Sequence, residues 1–320
     1  MAKPNPLDRR LAALYSLEDD PGSIAEKLPA FLRDKSNIVV AKAANMAVRL
    51  EASGLAAELA QVFSPMLKRA AESDPGCVAL TAIVKALVSF DAPAAEVYFA
   101  GLRHVQREPG FGASVEVAGE LRGLCARGIA RMGHPEALLE ILPLLADSLP
   151  ARIGAVKAIA ETGKPEAELL LRLHVIHGDR DAEVVSECFT ALLGLTPQRS
   201  LVFVAEYLSS GNDEVAEMAA LALGETRMTA AFPVLRDALL VNMSGSVRRA
   251  VLLALAMLRR DEAFDYLLAV IERQEPDAAS VISALAIHKG DPALRERVAE
   301  KLRRRESTRL NELFEREWRA

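Results

Sequence analysis

Apolar and polar positions follow the same order in two neighbouring segments of the chain. Residues 214–235 read EVAEMAALALGETRMTAAFPVL, and residues 246–267 read SVRRAVLLALAMLRRDEAFDYL. In each segment an apolar anchor residue is followed by apolar or small residues four, seven and eight positions later, then by a polar break and a second apolar run. Because these spacings fall on one face of an α-helix, the pattern predicts a helix, a turn and a second helix in each segment.

The same pattern extends along most of the chain, in eight units. At spacings of 30 to 42 residues, the anchors are Val39, Ala79, Leu121, Ala151, Val184, Val215, Val247 and Asp277. Seven positions after the anchor, the residue is Ala or Gly in seven of the eight units. Since interiors are close-packed, so small a side chain at a fixed position predicts that another helix presses against that point.

Residues that favour helix starts stand at regular places in these units. The N-cap candidates before the anchors are Asp34 or Ser36, Asp74, Ser148, Asp181, Asp213 and Ser246. The prolines that would open second helices are Pro93, Pro135, Pro165, Pro197 and Pro292. Each unit is thus a helical hairpin. One hairpin cannot bury its apolar face alone, and stacked hairpins bury each other's.

These hairpins resemble the HEAT-repeat family over roughly residues 30–305. The last six units, near 30 residues each, are similar to the phycobilin-lyase-like subtype. The resemblance implies an all-α fold, a right-handed α-solenoid (superhelix) of about eight HEAT-like repeats. We expect one elongated domain over residues 1–320, with an N-terminal cap at 1–33, repeats at 34–305 and a capping helix at 306–320. The sequence departs most from the family at Asp277, a polar residue in the anchor column.

Composition and charge narrow the choice of partners. The 320 residues are 51% hydrophobic and 26% charged, which predicts a folded protein. Residues 1–160 carry 18 basic and 18 acidic side chains, and residues 161–320 carry 21 and 26. Without a basic excess we expect no nucleic-acid partner. No apolar run approaches ~18 residues and the first residues lack a signal-peptide pattern, so we expect a cytoplasmic protein with no membrane partner.

Residue types that carry chemistry do not form a recognisable site. HEAT-like di-iron hydroxylases of the deoxyhypusine type use paired His-Glu dipeptides, and none of the five histidines here is followed by Glu. His174 and His177 form a single HxxH pair near Asp179, and solvated helix-end histidines are the favoured interpretation over a metal site. Cys125 and Cys188 stand four positions after their anchors, which favours buried structural thiols over nucleophiles. We therefore predict no catalytic residue, metal or cofactor.

An enzymatic alternative stays open. Bilin lyases share the short-repeat spacing, although this chain shows no motif that would locate their catalytic positions. The alternative function is therefore a HEAT-like tetrapyrrole (bilin) lyase or chromophore-handling protein. HEAT-like alkylpurine DNA glycosylases fit less well, because the chain has one tryptophan, Trp318, and no basic half.

A candidate binding surface follows from the positions that point away from the buried helix face. Six positions after three successive anchors stand Lys85, Arg127 and Lys157, which we call the basic row. The whole candidate set is Lys85, Arg122, Arg127, Arg152, Lys157, Leu221 and Leu253. The family resemblance implies that these helices line a concave surface. In the alternative interpretation the basic residues pair with nearby carboxylates, and the leucines pack against neighbouring helices.

A second candidate lies in the longest spacing between anchors. Residues 107–114 read REPGFGAS, in which three breakers surround the apolar Phe111. A connector between repeats of different length is the favoured interpretation, and a functional loop carrying Phe111 is the alternative.

The pattern and the resemblance together predict a non-catalytic scaffold or adaptor. We expect it to bind a peptide or protein on its concave surface. A basic stripe followed by apolar side chains suits a partner that is acidic and partly apolar.

Overall fold

The computed structural model describes residues 5–19, 21–273, 276–305 and 307–319. The chain divides into two compact units, residues up to Ala167 and residues from Glu168 onward. In unit 1 the elements are α1 (Pro6–Tyr15), α2 (Ile24–Leu32), α3 (Asn37–Arg49), α4 (Ala56–Leu67), α5 (Ala70–Ser73), α6 (Val78–Ser89), α7 (Ala95–Leu102), β1 (Arg107–Pro109), β2 (Ser114–Glu116), α8 (Gly119–Arg131), α9 (Ala137–Ile141) and α10 (Leu149–Glu161).

The remaining elements are all helical. They are α11 (Pro165–His177), α12 (Ala182–Leu195), α13 (Pro197–Glu206), α14 (Asp213–Glu225), α15 (Ala231–Ala238), α16 (Gly245–Met257), α17 (Asp261–Glu272), α18 (Ala278–Leu285), α19 (Pro292–Arg305) and α20 (Thr308–Glu317). Short 3₁₀ turns stand at Ser16–Asp19, Pro21–Ser23, Ser53–Leu55, Pro75–Cys77, Leu142–Ala146, Tyr207–Ser209 and Ala286–His288. Among the described helices, none has the length and apolar content that crossing a membrane requires.

The first helix of each predicted unit carries the repeated columns. These helices are α3, α6, α8, α10, α12, α14, α16 and α18. In all eight, the residues four and eight positions after the anchor are 0% exposed. The helical spacing predicted from the sequence is therefore confirmed at these two columns.

The eighth unit starts differently from the prediction. Asp277 is the N-cap residue of α18, and the first buried residue of that helix is Ala278. The carboxylate of Asp277 accepts hydrogen bonds from Nε of Arg248, with each oxygen 2.8 Å from the nitrogen. Asp277 thus keeps the register of the anchor column, since Val281 and Leu285 are buried four and eight positions later, but it is an ion-pair partner for the preceding unit instead of a core residue.

Small residues allow the first helices of unit 1 to approach closely. Gly154 on α10 faces Gly123 on α8, where an added Cβ on Gly154 would lie 2.3 Å from the Cα of Gly123. Gly128, seven positions after its anchor, lies against the ring of Tyr98, which an added Cβ would meet at 2.6 Å. The close contact predicted at this column is present here.

Unit 2 uses the same packing at its own first helices. Helix α14 contacts α16, α16 contacts α18, and α18 contacts α20. An added Cβ on Gly224 of α14 would lie 2.7 Å from the Cα of Ala254 on α16. Trp318, just after α20, is buried, and its indole Nε1 donates to the carbonyl oxygen of Ile282 at 3.2 Å. The indole therefore ties the last described helix to α18.

Two helix starts differ by one or two residues from the sequence prediction. Asn212, in place of Asp213, caps α14, and Ser244, in place of Ser246, caps α16. Both side chains accept hydrogen bonds from backbone N–H groups of the first turn. Two of the predicted opening prolines stand before their second helices instead of within them, Pro93 and Pro135.

Residues 107–116 depart from the all-α prediction. Strands β1 and β2 pair antiparallel, with Arg107 opposite Glu116 and Pro109 opposite Ser114. Gly112 at the turn has φ of +83°, a conformation that glycine adopts without steric cost. The expected connector is therefore a β-hairpin.

Candidate functional site

The column six positions after the anchors is accessible to solvent, as its helical position predicts. Four of its residues are exposed: Asn45, Lys85, Thr190 and Ser283. The other four are half-buried: Arg127, Lys157, Leu221 and Leu253. Binding by this column remains a prediction.

The basic row differs in availability from one member to the next. Lys85 on α6 is exposed and has no side-chain partner among the described residues. Arg127 on α8 donates from Nε to both carboxylate oxygens of Glu161, at 3.0 and 3.1 Å. Lys157 on α10 is half-buried. Within the basic row, Lys85 is therefore the residue whose charge is most accessible to a partner.

Glu161 explains why Arg127 is engaged. It also accepts hydrogen bonds from Arg131, at 3.3 Å from both Nε and Nη2. Partial burial raises the pKa of the Glu161 carboxyl, but the hydrogen bonds from Arg127 and Arg131 outweigh this and hold the pKa below its ordinary value. For Arg127, the ion-pair interpretation is the one that the structure supports.

Arg122 and Arg152 lie inside unit 1, and their expected exposure beside the basic row is wrong. They are 3% and 2% exposed. Nη2 of Arg122 lies 2.8 Å from Glu116 and 2.7 Å from Asp147. Arg152 donates from Nη1 to the carbonyl oxygen of Asp147 at 2.7 Å. Glu116 of the hairpin and Asp147 of the turn before α10 thus neutralise the charge of Arg122, which the helical spacing alone predicts to be exposed to solvent.

Phe111 lies at the tip of the hairpin and is exposed. The base below it is fixed by polar contacts. Oε1 of Glu108 accepts hydrogen bonds from the backbone N–H of Gly76 at 2.7 Å and from Nε2 of Gln106 at 2.6 Å. The buried Gln106 also donates to the carbonyl oxygen of Asp74 at 3.0 Å. The exposed ring is therefore presented on an ordered support.

Helices α16, α18 and α20 line a cleft in unit 2 with a volume of about 570 Å³. We call it the C-terminal cleft. Its apolar and small lining residues are Leu253, Ala279, Ser280, Ser283, Ala284 and Leu313. Leu253 belongs to the predicted surface. Leu221, on α14, is half-buried and lies outside this lining.

Charged side chains complete the C-terminal cleft. Its lining includes Arg249, Arg309 and Arg316, with Glu312 and Glu317. Arg316 contacts Glu317 at 3.4 Å. Arg249 and Arg309 are exposed and have no side-chain partner among the described residues. Unpaired guanidinium groups beside an apolar lining are suited to a carboxylate carried on an apolar segment.

Sequence reasoning missed these arginines for different reasons. Arg249 stands two positions after its anchor, Val247, where the helical spacing already predicts exposure, so a signal was present. Arg309 and Arg316 reach the cleft because α20 packs against α18. That contact joins separate segments and has no local signature.

The three cysteines are poor nucleophiles, and His174 is paired with a carboxylate. Burial raises the pKa of Cys77 to about 12 and also raises the pKa of Cys125 and Cys188. A thiol with a raised pKa is a poor nucleophile at neutral pH. Nε2 of His174 lies 3.0 Å from Oδ2 of Asp179. Across the described residues, no group of three or more His, Cys, Asp or Glu side chains is placed to hold a metal ion.

Helices α14, α16 and α18, which carry three of the repeated columns, lie in the part of the chain that resembles a known family. The family model of HEAT repeats matches residues 200–286. The matched segment contains α14–α18 and both candidate leucines, Leu221 and Leu253. HEAT repeats commonly serve as protein-interaction scaffolds and are generally non-enzymatic. A search of the curated proteins found no match to the chain. The phycobilin-lyase-like subtype remains a prediction from repeat length.

Proposed function

We propose that this protein is a non-catalytic interaction scaffold, a right-handed α-solenoid of about eight HEAT-like repeats. Its task is to bind an acidic, partly apolar segment of a partner protein. The observation that carries the proposal is the C-terminal cleft, where Arg249 and Arg309 stand unpaired within the described residues beside Leu253 and Leu313.

The cleft has the size and lining that peptide side chains require. Its volume of about 570 Å³ lies within the range of ordinary ligand sites. Leu253 and Leu313 supply apolar contact, which is the main favourable contribution to association. The two free guanidinium groups supply paired N–H donors for carboxylates. A segment with Asp or Glu beside apolar residues satisfies both features.

The lining also favours binding over catalysis. Among the described residues that line the cleft there is no His, Cys or Asp, and neither Ser280 nor Ser283 makes a side-chain hydrogen bond that could activate it as a nucleophile. The free, buried cysteines suit a reducing compartment, so we place the protein in the cytoplasm.

Charge reversal in the C-terminal cleft tests this function. The wild-type protein and the double variant Arg249→Glu, Arg309→Glu are each tagged and produced in the native cells. Each is captured by its tag, and quantitative mass spectrometry measures which proteins are captured with it. We expect the partner to be lost, because the substitutions place like charges against it, and wild-type capture to weaken as salt rises.

The matched control reverses two exposed arginines outside the cleft, Arg180 and Arg303. Their ion pairs contribute little to stability, so the control variant should fold and retain the partner. Retention of every captured protein by the cleft variant, at unchanged salt dependence, would contradict the proposed function.

A further inference from the structure

A second recessed surface lies in unit 1, where α4 ends and α5 begins. One cleft, of about 360 Å³, is lined by residues of the α2–α3 connection and of α4. A second, of about 320 Å³, is lined by the end of α4, by α5 and by residues that lead into β1. Arg69 lines both clefts. They therefore flank one side chain, and we call the pair the N-terminal groove.

The charge of the N-terminal groove is strongly positive. Lys35, Lys68, Arg69 and Arg107 line it, and all four are exposed. Within the described residues none of them has a side-chain partner. Of the two acidic residues in the lining, Asp34 is already paired with Arg10. Glu72 is the other. The groove therefore offers more positive charge than the chain itself neutralises.

Apolar side chains line the groove between these charges. Val62, Pro65 and Met66 line the first cleft and are at least partly exposed, and Val105 lines the second, with 59% of its surface exposed. A methionine adapts its shape to different apolar partners. These residues would gain contact from the apolar side chains of a bound segment.

The side of the groove that carries Arg107 is held in place. Gln106, which precedes it, is 3% exposed and donates to the carbonyl oxygen of Asp74 at 3.0 Å. Glu108, which follows it, accepts from the backbone N–H of Gly76 at 2.7 Å. Fixing the backbone on both sides of Arg107 before binding reduces the conformational entropy lost on association.

We infer that the N-terminal groove binds an extended acidic segment of a partner protein. Arg69 contacts a carboxylate between the two clefts, and apolar side chains of the segment occupy them. A nucleic acid fits less well, because the described lining has no Phe, Tyr or Trp for base stacking, and its imidazole, His104, is half-buried and lies 3.2 Å from the Gln106 side chain. This surface is separate from the C-terminal cleft and does not depend on the function proposed there.

The test uses a random-peptide library displayed on phage. It is selected on full-length protein carrying Arg249→Glu and Arg309→Glu, so that the C-terminal cleft does not dominate the selection. We expect enrichment of peptides that combine Asp or Glu with apolar residues. Selected peptides without acidic enrichment would overturn the inference, whatever the outcome for the C-terminal cleft.

The most enriched peptide is then labelled with fluorescein and measured by anisotropy. Arg69→Glu should weaken its binding by about tenfold or more, and Arg69→Lys should weaken it less because the positive charge remains. Lys42→Glu is the matched control, since Lys42 is exposed on α3 and lies outside both clefts. Thermal melts of all variants exclude unfolding as the cause.

Two results would contradict the inference. In the first, the peptide binds Arg69→Glu as well as it binds Lys42→Glu. In the second, a labelled single-stranded oligothymidine binds more tightly than the peptide and is lost in Arg69→Glu, which would make the groove a nucleic-acid site.

Discussion

At the scale of single residues, Arg122 links three segments of unit 1. Nε and Nη2 donate to the two carboxylate oxygens of Asp147, Nη1 and Nη2 donate to Glu116, and Nη1 also donates to the carbonyl oxygen of His104. These contacts use all five N–H groups of the guanidinium. The side chain is 4% exposed. Its partners lie in the hairpin, in the segment before it and in the turn before α10, so the network fixes non-helical backbone to α8.

Removing the Arg122 side chain should strongly destabilise unit 1. Arg122→Ala removes the guanidinium from which Glu116 and Asp147 accept hydrogen bonds, and losing one partner of a largely buried pair costs about 3–5 kcal/mol of unfolding free energy. Urea denaturation followed by circular dichroism measures the change. Lys85→Ala, at an exposed site, is the control, and an equal midpoint for the two variants would contradict the role of Arg122.

The same network makes a pH prediction. Burial raises the pKa of the Glu116 and Asp147 carboxyls, but the hydrogen bonds and charge of Arg122, together with backbone N–H groups such as those of Ala118 and Ser148, outweigh it and hold both pKa values below the ordinary range. A carboxyl whose folded pKa is depressed contributes stability above its unfolded pKa, near 4, and that stability is lost as pH falls through the folded pKa.

The destabilisation caused by Arg122→Ala should therefore shrink as pH is lowered from about 6 to about 3, because wild type loses the contribution that the variant already lacks. Urea midpoints of both proteins across this range provide the measurement. A constant difference between the two curves would show that the carboxylates do not act through Arg122.

At the scale of elements, contact between glycines sets the distance between α8 and α10. The repeated columns predicted which helix faces are buried, because burial follows the helical period. They did not predict the hairpin, since strands of three residues each are too short for an alternating pattern to be recognised. Nor did they predict the burial of Arg122. Its position on α8 alone does not indicate burial, which results from Glu116 and Asp147 in other segments of the chain.

A methyl group added at this contact should separate the two helices. In Gly154→Ala the new Cβ would lie 2.3 Å from the Cα of Gly123, and the backbone must move, which costs about 1–3 kcal/mol. Gly194→Ala on α12 is the matched control, because an added Cβ there meets nothing within 4 Å. Removing a helical glycine at an open site should stabilise by roughly 0.5–1 kcal/mol. If the urea midpoints of Gly154→Ala and Gly194→Ala both moved in the same direction relative to wild type, close packing at Gly154 would be contradicted.

At the scale of the whole molecule, we expect a partner to bind side chains of the repeats that are not used in the core. The columns four and eight positions after the anchors are used for the core, whereas Leu253 and Arg249 on α16 are left accessible. The sequence predicts this accessible stripe. It does not predict a cleft, because the cleft also needs Arg309 and Leu313 from α20. A net charge of −5 also conceals local excesses of positive charge, so the preference for an acidic partner depends on where the arginines lie.

A photo-crosslinker placed inside the C-terminal cleft tests whether a partner protein binds there. Ser283 lines the cleft and is exposed, so Ser283→benzoylphenylalanine puts a reactive ketone where the partner should bind. Leu240→benzoylphenylalanine is the control, at a site that is 83% exposed and outside the cleft lining. After irradiation in cells, we expect the crosslinker at position 283, and not the one at position 240, to react with a segment of another protein that combines acidic and apolar residues. Equal, non-selective crosslinking from both positions, or none from position 283, would contradict this expectation.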